Sequence, residues 1–201
     1  MPTTPGQKPL KGVEEECAAI QKACNGIYTC SVLRQPTAEA VLESIGQSSI
    51  VHFACHGLSH KTDPSNSHLL LQKDGESGPV VDELTVSKIF GVDKSGSAWI
   101  SYLSACSTAE VKDSKLADEG IHISSVLQIA GFAHVIGSLW SVEDKVCVHI
   151  AKNFYEALIQ SDGNKSRNRA VAQALRSAVL QAKRSLNLDP HSWGAYIHSG
   201  A

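Results

Sequence analysis

Two small-residue turns in this chain carry a cysteine and a histidine. The run Trp99-Ile-Ser-Tyr-Leu-Ser-Ala-Cys106 is apolar and aromatic until it stops at the cysteine. The earlier run Ser49-Ile-Val-His-Phe-Ala-Cys-His56-Gly57 has the same build, but its turn carries a histidine. A cysteine attacks a carbonyl only as the thiolate, and an adjacent imidazole can take its proton. Two neighbouring strands that end in these turns would hold the nucleophile Cys106 beside its base, His56.

Acyl transfer also requires hydrogen-bond donors for the attacked carbonyl and space for the substrate, and small residues around this dyad suit both. The backbone N–H groups of Gly57 and Cys106 are candidate donors to the negative charge that develops on the attacked carbonyl. Ser104 and its small neighbours leave room for a substrate backbone. Taken alone, however, Cys106 at the end of a buried strand is more often a core thiol, and His56 before a glycine could be a turn residue.

Two further residues in the histidine run need an assignment. Cys55 competes with Cys106 as a nucleophile, but strand alternation points it away from His56 and towards a helix interface. His52 has the same parity as His56, and we assign it a structural role.

Composition indicates one soluble domain. The chain has 201 residues, 42% hydrophobic and 19% charged, with a formal net charge of −2, which is ordinary for a globular protein. This charge gives no field that would attract nucleic acid or anionic lipid, so neither partner is expected. No apolar run approaches the roughly 20 residues of a membrane helix. The N-terminus lacks the layout of a secretory signal, which predicts a cytoplasmic protein.

Motif searches predict neither a metal nor a cofactor. The six cysteines include no CxxC pair, and the nine histidines include no HExxH motif, so a zinc site is not expected. No GxGxxG or GxxxxGK[ST] follows a strand, which argues against a Rossmann-like nucleotide binder.

Hydrophobic periodicity predicts alternating strands and helices. Residues 1–12, rich in proline and glycine, are expected to be a flexible leader or linker, and residues 13–201 a single domain cut from a longer chain. The predicted helices cover residues 13–24, 38–45, 82–90, 116–130, 146–158 and 171–182. The predicted strands cover residues 27–33, 50–54, 99–103 and 134–140, with a small hairpin around residues 69–81.

This alternation predicts an α/β fold with a mainly parallel sheet and helices on both faces. Sites in such sheets form beyond the carboxyl ends of the strands. The turns after Ala54, Leu103 and Trp140 would therefore share one rim with His56 and Cys106.

The two turn motifs and several later blocks resemble those of one family. Val51-His-Phe-Ala-Cys-His56-Gly57 and Leu103-Ser-Ala-Cys106-Ser-Thr-Ala109 look like the two signature blocks of CHAT domains, which are caspase-like and separase-like. Further similarity lies in Leu116-Ala-Asp-Glu119, Gly131 to Trp140, Asp144 and Asn153-Phe-Tyr155, and the ending Pro190 to Tyr196 resembles that family's closing strand. The resemblance covers roughly residues 27–201 and is specific in combination.

The resemblance implies a caspase-like three-layer sandwich and a cysteine endopeptidase. His56 would be the general base, Cys106 the nucleophile, and Gly57 and Cys106 the oxyanion amides. The loop after Trp140 would shape the substrate pocket, where Asp144 could meet a basic side chain. An equally good role for Asp144 is a helix cap.

The resemblance further implies a protein or peptide substrate and attached repeat or signalling domains that regulate the enzyme. Two departures limit the substrate prediction. Metacaspase-type enzymes that prefer basic residues have an acid where this chain has Ser104, and caspase-type enzymes need arginines that are absent near Cys106 or Trp140. The alternative to a peptidase is a catalytically idle scaffold for signalling or assembly.

Overall fold

The computed structural model describes residues 1–58, 64–92, 98–104, 124, 127–161 and 167–200. Its helices are α1 Val13–Cys24, α2 Ala38–Gln47, α3 Val86–Phe90, α4 Asp144–Ser161, α5 Arg167–Ser185 and α6 Pro190–Trp193, with a short 3-10 helix at Pro64–Asn66. Its strands are β1 Ile50–Phe53, β2 Gly57–Leu58, β3 His68–Gly75, β4 Gly78–Thr85, β5 Ile100–Leu103, β6 His134–Ser138 and β7 Tyr196–Gly200.

The main sheet has the strand order β1-β5-β6-β7. β1, β5 and β6 run parallel, whereas β7 is antiparallel to β6. β5 and β6 are buried along their whole length, as expected for parallel strands that are covered on both faces. The prediction of a mainly parallel α/β sheet is confirmed.

Helices cover both faces of this sheet because each presents an apolar stripe. On one face, α1, α4 and α5 pack on Tyr102 and Ile136 through Ile20, Phe154 and Val171. The other face is covered by α2 and by the helical residues 127–129, and its core contains these buried side chains: Val41, Ile45, Phe53, Leu103, Leu127 and Val135. Helix, sheet and helix thus form the three layers of the predicted caspase-like sandwich.

A second, antiparallel sheet of order β2-β3-β4 lies beside the main sheet. Leu69, Leu71 and Leu84 of this small sheet belong to the same buried cluster as Phe53 and Leu103. The hairpin between β3 and β4 turns at Gly75–Gly78, where Gly78 has a φ of +121° that favours glycine. The small sheet is therefore fixed against the main sheet by shared apolar packing.

Three predicted elements differ from the structure. Residues 27–33 form no strand; residues 28–33 line a groove of about 740 Å³ along the edge of β1 opposite β5, where β1 pairs with no described strand. Residues 82–85 extend β4 instead of starting a helix, and Asp82 accepts a hydrogen bond from the backbone N–H of Ala38 at 2.7 Å. The chain's closing strand begins only at Tyr196, because residues 190–193 are helical.

Within the described ranges, no helix combines the length and apolarity that crossing a bilayer would require.

Five cysteines in the described residues are free thiols: Cys17, Cys24, Cys30, Cys55 and Cys147.

Candidate active site

His56 is held at the junction between the two sheets. β1 ends at Phe53, and three residues later His56 directly precedes β2 of the small sheet, where its carbonyl accepts a hydrogen bond from the N–H of Leu70 at 2.8 Å. Its side chain is buried, with 8% of its surface exposed. The histidine therefore has a fixed backbone and little room to change rotamer.

A main-chain atom from the start of the chain contacts the His56 imidazole. Nε2 of His56 lies 2.8 Å from the carbonyl oxygen of Lys8. A carbonyl oxygen can only accept, so Nε2 must carry the proton. In the neutral ring, Nδ1 is then the nitrogen with a lone pair, as a general base requires. Residues 1–12, which composition predicts to be a leader or linker, thus contribute one contact to the site.

Gly57 follows in the short strand β2, opposite Leu69. Because the N–H of Leu70 pairs with the carbonyl of His56, Gly57 and Leu69 form a non-hydrogen-bonded pair of the ladder. The ladder to β3 thus makes no use of the Gly57 N–H, which points away from that strand.

The predicted nucleophile, Cys106, lies outside the described residues, as do all of residues 105–123. The described part of this turn ends at Ser104, which is buried and whose N–H donates to the carbonyl of Phe53 at 2.9 Å. Phe53 of β1 is paired with Leu103 of β5. In the sequence, His56 comes three residues after Phe53, and Cys106 comes three residues after Leu103.

The two predicted pocket residues beyond β6 make contacts of their own. Trp140 donates its indole N–H to the carbonyl of His191 at 2.8 Å, and the two rings stack with centroids 5.2 Å apart. Asp144 is exposed and begins α4, and its Oδ2 accepts a hydrogen bond from the N–H of Gly12 at 3.0 Å. This carboxylate lies at the N-terminal end of α1, where negative charge is favourable.

Cys55, the competing thiol, lies in an environment that suppresses its reactivity. Burial raises the pKa of Cys55 to about 11, so the thiolate is scarce near neutral pH. Burial likewise raises the pKa of Cys147 to about 12. Both are buried core thiols, as strand alternation predicts for Cys55.

A buried acid beside Ser104 is the residue that sequence reasoning missed. Glu16 of α1 has only 2% of its surface exposed, and its carboxylate accepts a hydrogen bond from the Ser104 hydroxyl. Its position could have been inferred from the sequence, because residues 13, 16, 20 and 24 share one face of a helix. An acid on an otherwise apolar face needs a partner inside the protein.

His52 is partly buried beside Glu16, with its Nε2 3.3 Å from Oε1 of that carboxylate. Its ring stacks on Tyr102 with centroids 4.7 Å apart, and its Nδ1 lies 3.1 Å from the Tyr155 hydroxyl.

Among the described residues, no group of three or more histidine, cysteine or acidic side chains could hold a metal ion.

Comparison with known families agrees with this architecture. The fold is a mainly parallel sheet between two helical layers. A histidine follows β1, and the sequence of the neighbouring strand β5 continues to a cysteine. This arrangement is that of a caspase-like α/β sandwich. The CHAT domain family model matches residues 1–201, the whole sequence. The chain therefore belongs to the CHAT domain family. A search of curated proteins found no significant match.

Proposed function

We propose that this CHAT domain is a cysteine endopeptidase that hydrolyses peptide bonds in a protein partner through a His56–Cys106 dyad. The observation that carries the proposal is the parallel register of β1 and β5, which pairs Phe53 with Leu103. His56 and Cys106 each come three residues after one member of this pair. Segments that leave adjacent parallel strands at paired positions begin at the same edge of the sheet. The family match supports the same assignment.

The proposed reaction uses both nitrogens of the His56 ring. Nε2–H stays bonded to the Lys8 carbonyl, while Nδ1 takes the proton from the Cys106 thiol. The thiolate attacks the substrate carbonyl, and collapse of the tetrahedral intermediate breaks the C–N bond. The proton on Nδ1 passes to the leaving amine, and a thioester to Cys106 remains. Water then attacks the thioester and gives a proton to Nδ1; collapse breaks the C–S bond and releases the acid, and Nδ1 returns the proton to the departing Cys106 thiolate.

The N–H groups of Gly57 and Cys106 are the proposed oxyanion donors. Support for Gly57 comes from the ladder, which leaves its N–H turned away from β3. One such donor is worth about 3 kcal/mol of transition-state stabilisation. Trp140, Ser104 and Asp144 remain the residues predicted to border the substrate pocket. Regulation by attached repeat or signalling domains, and a cytoplasmic location, stay predictions.

An irreversible peptidyl probe with a thiol-reactive group tests the proposal on the full-length protein. We expect wild type and Cys55→Ala to be labelled and Cys106→Ala to remain unlabelled. Cys55→Ala is the matched control because it removes a neighbouring buried thiol. His56→Gln should slow labelling by about 100- to 10,000-fold, the range of general acid–base catalysis.

Two outcomes would contradict the proposal. If Cys106→Ala is labelled as well as wild type, the nucleophile is another residue. If wild type is not labelled under any condition and cleaves no peptide library, the domain is the idle scaffold.

A further inference from the structure

One edge of β1 lines an apolar groove at the margin of the main sheet. β1 pairs with β5 on one side, and on its other side it pairs with no described strand. The groove of about 740 Å³ lies along this second side, and every residue of β1 contributes to its lining. The groove is therefore at the position where a further strand of the sheet would add.

The ladder to β5 shows which backbone groups of β1 face the groove. The carbonyl of Phe53 accepts a hydrogen bond from the N–H of Ser104, at the end of β5. Along a strand, successive residues direct their N–H and C=O groups to opposite sides. The N–H and C=O groups of Ile50 and His52 consequently face away from β5. Their spacing is the one that the ladder of an added strand requires.

Both helical layers contribute walls to the groove. α1 supplies Cys17, Ile20 and Cys24, and α2 supplies Val41 and Ser44. Ile20 and Cys24 belong to the core on one face of the sheet, whereas Val41 belongs to the core on the other face. An occupant that reaches β1 between these helices must be a single extended segment. Since it would be covered on both faces, we expect it to be apolar along its whole length.

The lining of the groove also restricts the charge of its occupant. Among the described residues that line it, none is a lysine, an arginine, an aspartate or a glutamate. The amino group of Met1 is bonded to the carbonyl of Ala54, just beyond the end of β1. A charged side chain on the occupant would lose its water without gaining an opposite charge. The groove thus selects an uncharged segment.

Residues 28–33 complete the lining and show a strand composition without a strand. The run Ile27-Tyr-Thr-Cys-Ser-Val-Leu33 is rich in β-branched and aromatic residues, which pack best beside other strands. Its two ends are exposed, with 58% of Ile27 and 44% of Leu33 accessible. A segment seated in the groove would contact β1 and residues 28–33 together, which gives this β-rich run a neighbour.

We propose that this groove binds a single uncharged, apolar, extended segment of a partner protein, which adds to the main sheet as a strand beside β1. Main-chain hydrogen bonds to Ile50 and His52 provide affinity, and alternate side chains pack on α1 and α2. A strand of ordinary length, about five or six residues, spans the four residues of β1. This docking goes beyond the proposed peptidase and does not depend on it.

Three synthetic peptides of equal length test the inference. The first consists of serine, five alternating valines and isoleucines, and serine. The second has lysine at the central position, and the third carries N-methyl groups on alternate amides. Fluorescence anisotropy of the labelled peptides should show saturable binding of the first to wild type. The other two should bind at least about tenfold more weakly, because one buries a charge and the other loses main-chain hydrogen bonds.

Two matched serine variants locate the binding site. Ser44→Lys places an ammonium group in the lining of the groove and should weaken binding of the first peptide by at least about tenfold. Ser177→Lys, at an exposed serine of α5 outside the lining, should change it by less than about twofold. If Ser44→Lys does not fold, as judged by thermal unfolding, Gln47→Lys takes its place, because Gln47 lines the groove and is exposed.

Amide hydrogen exchange distinguishes an added strand from a ligand that only fills space. Binding of the first peptide should slow exchange at Ile50 and His52 by at least about tenfold, because their N–H groups become bonded. Val51, whose N–H faces β5 by the same alternation, should change little.

Four outcomes would overturn the inference. They are the absence of saturable binding of the first peptide, equal affinity for the lysine or N-methylated peptide, undiminished binding to folded Ser44→Lys, and unchanged exchange at Ile50 and His52. A dimer that forms without peptide and protects the same two amides would assign the groove to a second copy of the chain instead of a partner protein.

Discussion

Nε2 of His56 lies 2.8 Å from the carbonyl oxygen of Lys8, 48 residues earlier in the chain. An orienting group that fixes the tautomer of a catalytic histidine is usually a side chain, as in the serine protease triad. Here it is a backbone atom. The segment before α1 consequently has a place in the proposed mechanism, although its sequence has no catalytic motif.

This contact predicts a difference between two variants of the first residues. Lys8→Ala keeps the carbonyl and should leave kcat within about twofold, because the side chain is exposed. Deletion of residues 1–8 removes the carbonyl and should lower kcat. The largest expected decrease is about 100- to 10,000-fold, which is the rate enhancement that general acid–base catalysis contributes. Peptide hydrolysis below the unfolding temperature of each variant measures this. Equal activity of both variants would show that the contact does not orient the base.

The raised thiol pKa values predict a loss of stability in alkali. Burial raises the pKa of Cys55 to about 11 and that of Cys147 to about 12, whereas unfolded thiols titrate near 8.5. Between pH 8.5 and these raised pKa values, the unfolded chain binds fewer protons than the folded one. The contribution of the two thiols to the free energy of unfolding is therefore fully present below pH 8.5 and falls as the pH rises towards 11. Each thiol contributes a slope of up to about 1.4 kcal/mol per pH unit.

Urea unfolding between pH 8 and 10 measures this slope. Cys55→Ala should reduce this slope by roughly the contribution of one thiol, and Cys30→Ala, at an exposed cysteine whose pKa burial also raises, should reduce it less. A slope that stays the same in Cys55→Ala would contradict the burial of this thiol.

The contact between Gly12 and Asp144 predicts a modest effect on stability. Asp144→Ala removes an acceptor at the N-terminal end of α1 and should cost about 1 kcal/mol in the free energy of unfolding, whereas Asp144→Asn keeps an acceptor and should cost less. Gly12→Ala should also destabilise, because its Cβ would lie 2.8 Å from Cβ of Asp144. Tryptophan fluorescence in urea measures all three variants. If Asp144→Ala proves neutral, the hydrogen bond is not formed in solution.

Packing of the small sheet against the main sheet predicts a larger loss in the free energy of unfolding than the Asp144 contact does. Leu84 is fully buried on β4, within the cluster that contains Phe53 and Leu103. Leu84→Ala should cost about 2–5 kcal/mol by leaving a cavity. Val80→Ala, on the same strand but 42% exposed, should stay within about 0.5 kcal/mol. Thermal unfolding compares the two, and similar values would argue against a shared core between the sheets.

Periodicity predicted the main sheet because burial dictates its pattern directly. Residues 100–103 and 134–138 are buried on both faces and are continuous apolar or small-residue runs in the sequence. Residues 27–33 have a similar β-rich composition but pair with no described strand. The preference of a residue for a strand reflects how well its side chain packs against neighbouring strands. The sequence of one segment does not show which strands will lie beside it.

The candidate site was predictable only in part. The turns with His56 and Cys106 follow strands that the sequence reveals, so both residues could be proposed from their spacing. Glu16 is one of three consecutive acids in the first turn of α1, a pattern that a helix N-terminus favours in general, and only packing separates it from its exposed neighbours. The Lys8 carbonyl was beyond prediction, because every residue has a carbonyl and only tertiary structure selects one.

One edge of β1, which pairs with no described strand, has a consequence for handling this chain in isolation. β1 pairs with β5 on one side, and its other side borders the groove lined by residues 28–33. Unpaired N–H and C=O groups along an edge are a template on which strands of other molecules add. Self-association of the purified domain, if it occurs, should therefore begin at this edge. Charged or proline substitutions at the rim of the groove are the rational way to keep the protein monomeric.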